Sequence, residues 1–223
     1  MNLDQRMAAF EKADLYVVIT EAFCAGRSAL EVLAKTLAAG VGLVQLREKE
    51  LDDGELYRRA LEFRRQTSEA GALFIVNDRL DIALATGADG VHLGQDDLPL
   101  SAARRIAPEL VIGASTHSLK EALAAQEAGA SYVNIGPIFP TQTKSIPAPL
   151  GLEAIEQTAP RLRIPWTTMG GIKNSNLSQV VSRGARHPAV MTAVTAAEDP
   201  AAAALQLRKI IKDWSTKISP PSY

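Results

Sequence analysis

Cysteine is nearly absent from the chain, with Cys24 the only one. An intrachain disulfide is therefore excluded, and a cysteine-based zinc site is not expected. Charge of one sign is also missing in any excess, since 24 Lys plus Arg stand against 25 Asp plus Glu. That balance argues against nucleic acid or a membrane surface as a partner, so any basic site has to be local. No stretch reaches the ~18 uncharged apolar residues of a membrane span. The opening MNLDQRMAAFEKADLYVV carries acidic residues and no apolar run before Leu15, unlike a secretory signal. A cytoplasmic protein is expected. No Pro-, Gly- or Ser-rich linker divides residues 1–223, so one domain is expected, with a short N-terminal lead-in and a frayed tail, STKISPPSY.

What the chain does contain is apolar residues, 47% of 223, ample for a sizeable core. They fall into short β-rich runs: LYVVIT (15–20), VGLVQL (41–46), ALFIVN (72–77), GVHL (90–93), LVIGAS (110–115), YVNIG (132–136), WTTMG (166–170) and AVMTAV (189–194). Between them lie segments such as SALEVLAKTLAAG and SLKEALAAQEAGA, apolar at three-to-four spacing. This alternation predicts βα units around a parallel sheet, whose doubly buried strands read as continuous apolar runs. Gly40, Gly71, Gly87, Gly129 and Gly184 recur where a helix should close in the left-handed conformation. Eight such units in about 200 residues predict a (β/α)8 TIM barrel over about 15–214. An open doubly wound sheet is the alternative, because strand order is invisible in sequence.

Chemistry in such a barrel sits at the carboxyl ends of the strands. Strand 2 ends in Gln45-Leu46-Arg47-Glu48-Lys49, strand 3 in Asn77-Asp78-Arg79, and strand 4 in His92-Leu93-Gly94-Gln95-Asp96-Asp97. Strand 5 ends in Ser115-Thr116-His117, and strand 6 in GPIFPTQTKS, with Thr141, Thr143 and Lys144. Strand 7 ends in Gly170-Gly171 and strand 8 in Met191-Thr192. Arg47, Lys49 and Lys144 are cationic, whereas Asp78 and Asp97 (or Asp96) are anionic. Three cations with two carboxylates suggest a highly charged anion bridged to the carboxylates by a hard divalent ion. Magnesium takes one or two carboxylates plus phosphate oxygens and water, so a diphosphate is the natural ligand. Gly170-Gly171, opening a helix near Asn174, adds a second anion site through backbone N–H groups.

Each feature has a blander reading. Arg47, Glu48 and Lys49 alone would be a solvated charge cluster. Asp78 could cap the helix that follows, and one of Asp96 and Asp97 could cap the helix after strand 4. The glycine pair could serve a tight turn, and Thr141, Thr143 and Lys144 an exposed loop. Their joint placement on one rim favours a shared site. The histidines supply no general base: His92 reads as a hydrogen-bonded core residue, His117 as orienting its turn, and His187 as part of a loop at the far end of the barrel.

The motifs QLREK (45–49), VNDRLDIALATGADGVHLGQDDLP (76–99), IGASTHS (112–118), GPIFPTQTK (136–144) and GGI (170–172) resemble the thiamine-phosphate synthase family, in its order and across nearly the whole barrel. The resemblance implies that 4-amino-2-methyl-5-hydroxymethylpyrimidine diphosphate joins a thiazole phosphate, giving thiamine phosphate and pyrophosphate. It implies Mg2+ on Asp78 and Asp97, and the diphosphate on Arg47, Lys49, Asn77 and Lys144. Gln45 and Ser115 match pyrimidine contacts. Thr141, Thr143, Gly170, Gly171, Met191 and Thr192 match the thiazole-phosphate cradle. Arg47, Lys49, Lys144 and Ser115 are the implied catalytic residues, the substrates small molecules, and self-association is left open. The chain departs from the family at Arg186-His187-Pro188, at Thr192 in place of serine, and at the bulkier Met169. Two rivals are a thiazole tautomerase-like relative, which carries a histidine where this chain has Pro137, and a non-catalytic barrel that senses a phosphate ligand.

Overall fold

Why eight short apolar runs need cover on both faces is answered by their burial. The computed structural model describes residues 1–141 and 148–216. Among these, eight parallel strands form a closed barrel in sequence order: β1 Tyr16–Ile19, β2 Leu43–Leu46, β3 Leu73–Asn77, β4 Gly90–Leu93, β5 Val111–Thr116, β6 Tyr132–Ile135, β7 Trp166–Thr168 and β8 His187–Val190. Every strand residue is buried except Ser115. Such strands have no polar face to give to water, so only a sheet covered on both sides accommodates them. The register pairs Tyr16 with Leu43 and, across the closure, with Ala189.

The helices are α1 Leu3–Lys12, α2 Ala29–Ala38, α3 Asp53–Ala70, α4 Leu80–Thr86, α5 Leu100–Ile106, α6 Leu119–Glu127, α7 Glu153–Thr158, α8 Leu177–Val181, α9 Thr192–Thr195 and α10 Pro200–Ser215. Their ends are written locally. In α3, the Asp52 carboxylate accepts the Glu55 N–H at 2.8 Å, and Gly71 closes the helix at φ 68°. All five glycines expected at helix ends have φ between 67° and 91°. Among the described residues, no helix is long and apolar enough to cross a membrane.

Alternation along the strands makes two apolar layers. One lies between strands and helices; the other fills the barrel with Tyr16, Val18, Leu43, Leu73, Ile75, Val111 and Tyr132. The N-terminal lead-in is itself a helix, α1, begun by a reciprocal cap in which Asn2 and Gln5 exchange side chain-to-backbone bonds. It carries the fully buried Phe10 against Tyr132, with ring centroids 4.7 Å apart, and so fills the lower end of the barrel. Arg6 fastens α1 there through the Glu109 carbonyl at 2.7 Å.

Strand 8 corrects the expectation. It runs from His187 to Val190, not 189–194, so His187 and Pro188 lie inside the strand and not in a loop before it. His187 Nδ1 meets the Ala13 carbonyl at 2.6 Å, which anchors the strand's start. The Met191 carbonyl accepts the N–H groups of Val194 and Thr195, so the apolar run turns into α9 where a longer strand was expected. Strand 7 likewise stops at Thr168, before the glycine pair. The tail expected to fray falls outside the described residues after Thr216.

Candidate active site

The ends of β2, β3 and β4 carry a charged rim. Lys49 Nζ stands 3.0 Å from an Asp78 carboxylate oxygen. Asp78 has φ 61°, and the Arg79 N–H donates back to the Asn77 carbonyl at 2.7 Å, so Asp78 is the central residue of a strained γ-turn. Non-glycine residues held in such conformations cluster at active sites and ligand clamps. The Asp78 N–H is fixed by the His92 carbonyl at 2.8 Å. Asp97 folds back so that its carboxylate accepts the Gly94 N–H at 2.6 Å and lies in hydrogen-bond contact with the Asp78 carboxyl. Burial and that neighbouring carboxyl push Asp97 above the usual carboxylate range, while the Gly94 N–H and Lys49 pull it down. Two facing carboxylates with one lysine are the oxygen donor set a hard cation accepts, completed by phosphate oxygens or water. Asp78 and Asp97 therefore fit Mg2+.

Beside the rim, over β5 to β8 and β1, lies a cavity of about 570 Å³. Arg47, Ser115, Thr141, Gly170, Gly171, Met191 and Thr192 all line it. Its wall is built by two loops zipped together: the Ile138 N–H donates to the Met169 carbonyl at 2.9 Å and the Phe139 N–H to the Gly170 carbonyl at 3.0 Å. The glycine pair permits that approach. A Cβ on Gly170 would lie 2.4 Å from Pro137 Cβ, and one on Gly171 2.4 Å from the Pro140 carbonyl oxygen. Both glycines also have positive φ, 99° and 63°.

Of the expected site residues, Arg47 faces the cavity, while Lys49, Asp78 and Asp97 form the adjoining rim. Asn77 is nearly buried at the end of β3. Gln45 is 2% exposed and sits below, its amide donating to Tyr16 OH at 2.6 Å. Thr143 and Lys144 lie outside the described residues. The capping alternatives do not hold. Helix α4 starts at an Arg79 cap and α5 at a Pro99 cap, neither with a side-chain bond, because Asp78 is turned to Lys49 and Asp97 to Gly94. Asp96 is exposed. The helix after the glycine pair begins at Leu177, not near Asn174. Asn176 delays it by accepting the Lys173 N–H at 2.8 Å and donating to the Gly171 carbonyl at 3.0 Å.

Glu48 leaves the charge cluster it belongs to in sequence. It accepts the Glu21 N–H at 2.8 Å and pairs with Arg59 at 3.2 Å, and burial raises its carboxyl pKa. His117 takes Glu121 with both its backbone and its ring, as its orienting role requires. His92 bridges Tyr132 and Ser115 in the core. Sequence reading missed Tyr16 and Tyr132. The available signal was a phenol in a wholly buried strand, whose hydroxyl must find a partner.

The family described as thiamine monophosphate synthase matches residues 15–194. The chain is 44% identical over 202 residues to a thiamine-phosphate synthase of Pelotomaculum thermopropionicum, covering 90% of this chain and 93% of the relative. It is 50% identical over 186 residues to one of Chlorobium luteolum, covering 82% and 88%. The solved thiamine phosphate pyrophosphorylase of Pyrococcus furiosus is similar with TM-score 0.86 and 38% identity, over 92% of this chain and 98% of that one.

Proposed function

The chain belongs to the thiamine monophosphate synthase family and is a transferase that forms thiamine phosphate, and from that premise we propose that rim and cavity divide the two substrates between them. The rim takes the diphosphate of 4-amino-2-methyl-5-hydroxymethylpyrimidine diphosphate, with Arg47 meeting it from the cavity's edge; the cavity takes the pyrimidine ring at Ser115 and the thiazole phosphate. The observation that carries this reading is the facing pair Asp78 and Asp97 with Lys49, placed beside a cavity that Arg47, Ser115, Thr141 and the Gly170-Gly171 backbone line.

Arg47, Lys49 and Asn77 hold the diphosphate, with Lys144 joining them on the strength of the family resemblance. Gln45 and Ser115 hold the pyrimidine ring. Thr141, Gly170, Gly171, Met191 and Thr192 cradle the thiazole phosphate, and the resemblance adds Thr143. Asp78 and Asp97 would hold Mg2+, which when bound neutralises charge on the diphosphate as it leaves. The pyrimidine's amino group feeds electron density toward its exocyclic methylene, so the C–O bond to diphosphate breaks with little help from the nucleophile. The thiazole nitrogen then donates its lone pair to that carbon and the C–N bond forms. No proton moves in either step, and the residues that face the reaction are cations and hydrogen-bond donors. Their work is positioning and charge stabilisation.

The test is pyrophosphate release by purified protein given both substrates, with Mg2+ or with excess chelator. Release that needs both substrates and the metal supports the reading. Failure to form product at saturating substrates overturns it and favours a ligand sensor.

A further inference from the structure

Five polar side chains run in one hydrogen-bonded chain through the apolar interior of the barrel. Gln45 Nε2 donates to Tyr16 OH at 2.6 Å; Tyr16 OH lies 3.0 Å from Tyr132 OH. Tyr132 OH lies 2.9 Å from His92 Nδ1, and His92 Nε2 lies 2.9 Å from Ser115 Oγ. The phenols of Tyr16 and Tyr132 are buried, and burial raises both their pKa values, so both keep their protons. Gly113 makes the room: a Cβ there would fall 2.1 Å from Tyr132 Cζ and 2.5 Å from His92 Nδ1. The two ends of the chain are residues assigned above to the pyrimidine ring; its three middle members have no role in that assignment.

With the Gln45 amide nitrogen facing Tyr16, counting protons gives the direction of the chain. Tyr16 oxygen accepts from Gln45, so a second proton arriving from Tyr132 would leave the Tyr16 proton buried without an acceptor, a costly arrangement. Tyr16 must therefore donate to Tyr132, and Tyr132 to His92 Nδ1. His92 then carries its proton on Nε2 and donates it to Ser115. The Ser115 proton is left for the cavity, which Ser115 lines, and Gln45 keeps its carbonyl oxygen as an acceptor. Turning the Gln45 amide over would reverse every bond and exchange the two roles.

We propose that Tyr16, Tyr132 and His92 are positioning residues that couple Gln45 to Ser115, so that one end accepts whenever the other donates. The inference rests on Gln45 and Ser115 being the pyrimidine contacts. A 4-aminopyrimidine offers a ring-nitrogen acceptor beside an amino donor, and so needs one donor and one acceptor from the protein. The chain holds that pair in register before the ligand arrives. Without it the two ends orient independently, and pairs of two donors or two acceptors become populated.

Tyr132→Phe keeps the ring and removes the central hydroxyl. Its KM for the pyrimidine diphosphate should rise roughly tenfold, with the KM for thiazole phosphate unchanged. Tyr16→Phe should do the same, which covers the case of one variant failing to fold. In the unsubstituted protein, 15N NMR should show His92 as the Nε2–H tautomer, its signal identified as the histidine that Tyr132→Phe perturbs. If Gln45→Ala and Ser115→Ala raise that KM but both tyrosine variants leave it unchanged, the pyrimidine contacts stand and the coupling is overturned. If Gln45→Ala and Ser115→Ala leave it unchanged, the contact assignment fails and the inference with it. An Nδ1–H signal, or a mixture of tautomers, overturns the assigned direction.

Discussion

On the rim over β2 to β4 the charges are set against one another: Lys49 on Asp78, and Asp97 on the Gly94 N–H with Asp78 beside it. The neighbouring cavity over β5 to β8 and β1 is shaped by backbone instead, its wall closed by loop-to-loop bonds that only glycine at 170 and 171 allows. The rim is therefore a region whose partners can be exchanged when an anion and a cation arrive. The cavity is a region whose shape is settled by folding. Substitutions should separate along the same line, with rim changes altering the chemistry and leaving the fold, and cavity changes altering shape and one substrate's fit.

The largest effect is expected from alanine at two proposed diphosphate contacts, Arg47, which lines the cavity next to the rim, and Lys144. Each should lower kcat by about 10²–10³-fold, the scale for removing one group that stabilises developing charge, while the melting temperature stays within a few degrees. Near-normal turnover in either would remove the electrostatic role. Next come Asp78→Asn and Asp97→Asn, read as the Mg2+ concentration giving half-maximal turnover, which should rise at least about tenfold. Asparagine tolerates the positive φ of position 78, so Asp78→Asn should keep its turn. An unchanged metal requirement would place the metal elsewhere.

Smaller and on the other side of the comparison, Gly171→Ala should raise the KM for thiazole phosphate about tenfold. The added carbon would sit 2.4 Å from the Pro140 carbonyl oxygen in a backbone conformation that costs of order 1–3 kcal/mol. The KM for the pyrimidine diphosphate should move much less. Equal shifts in both would erase the division between the regions.

The smallest effect concerns pH. Asp97 is raised by burial and by the Asp78 carboxyl, so in the metal-free protein it binds its proton more tightly folded than unfolded. Its contribution to stability is present at low pH and is lost as pH rises through the raised value. Bound metal has the opposite preference, because it requires the ionised carboxylate. The half-maximal Mg2+ concentration should therefore rise as pH falls, beginning above the ordinary Asp value of about 3.9, and Asp97→Asn should flatten that dependence.

The barrel was legible because its strands are continuous apolar runs and its helices end on glycines, two signals local to the chain. Strand 8 was misread because AVMTAV is apolar throughout, and no local signal marks where the Met191 carbonyl starts a helix. The rim residues were readable as charges at strand ends. Their partners were not, since the turn at Asp78 and the fold-back of Asp97 depend on the His92 carbonyl and the Gly94 N–H. The Tyr16–Tyr132 contact joins residues 116 apart in sequence, and only closure of the barrel brings them together.

Calorimetry of pyrophosphate binding tests the division most directly, with and without Mg2+, on the unsubstituted protein and the Asp78→Asn/Asp97→Asn double variant. Pyrophosphate should bind the unsubstituted protein only with the metal and should fail to bind the variant, while both bind thiazole phosphate equally. Metal-independent pyrophosphate binding that survives the double substitution, or loss of thiazole phosphate along with it, would contradict the account.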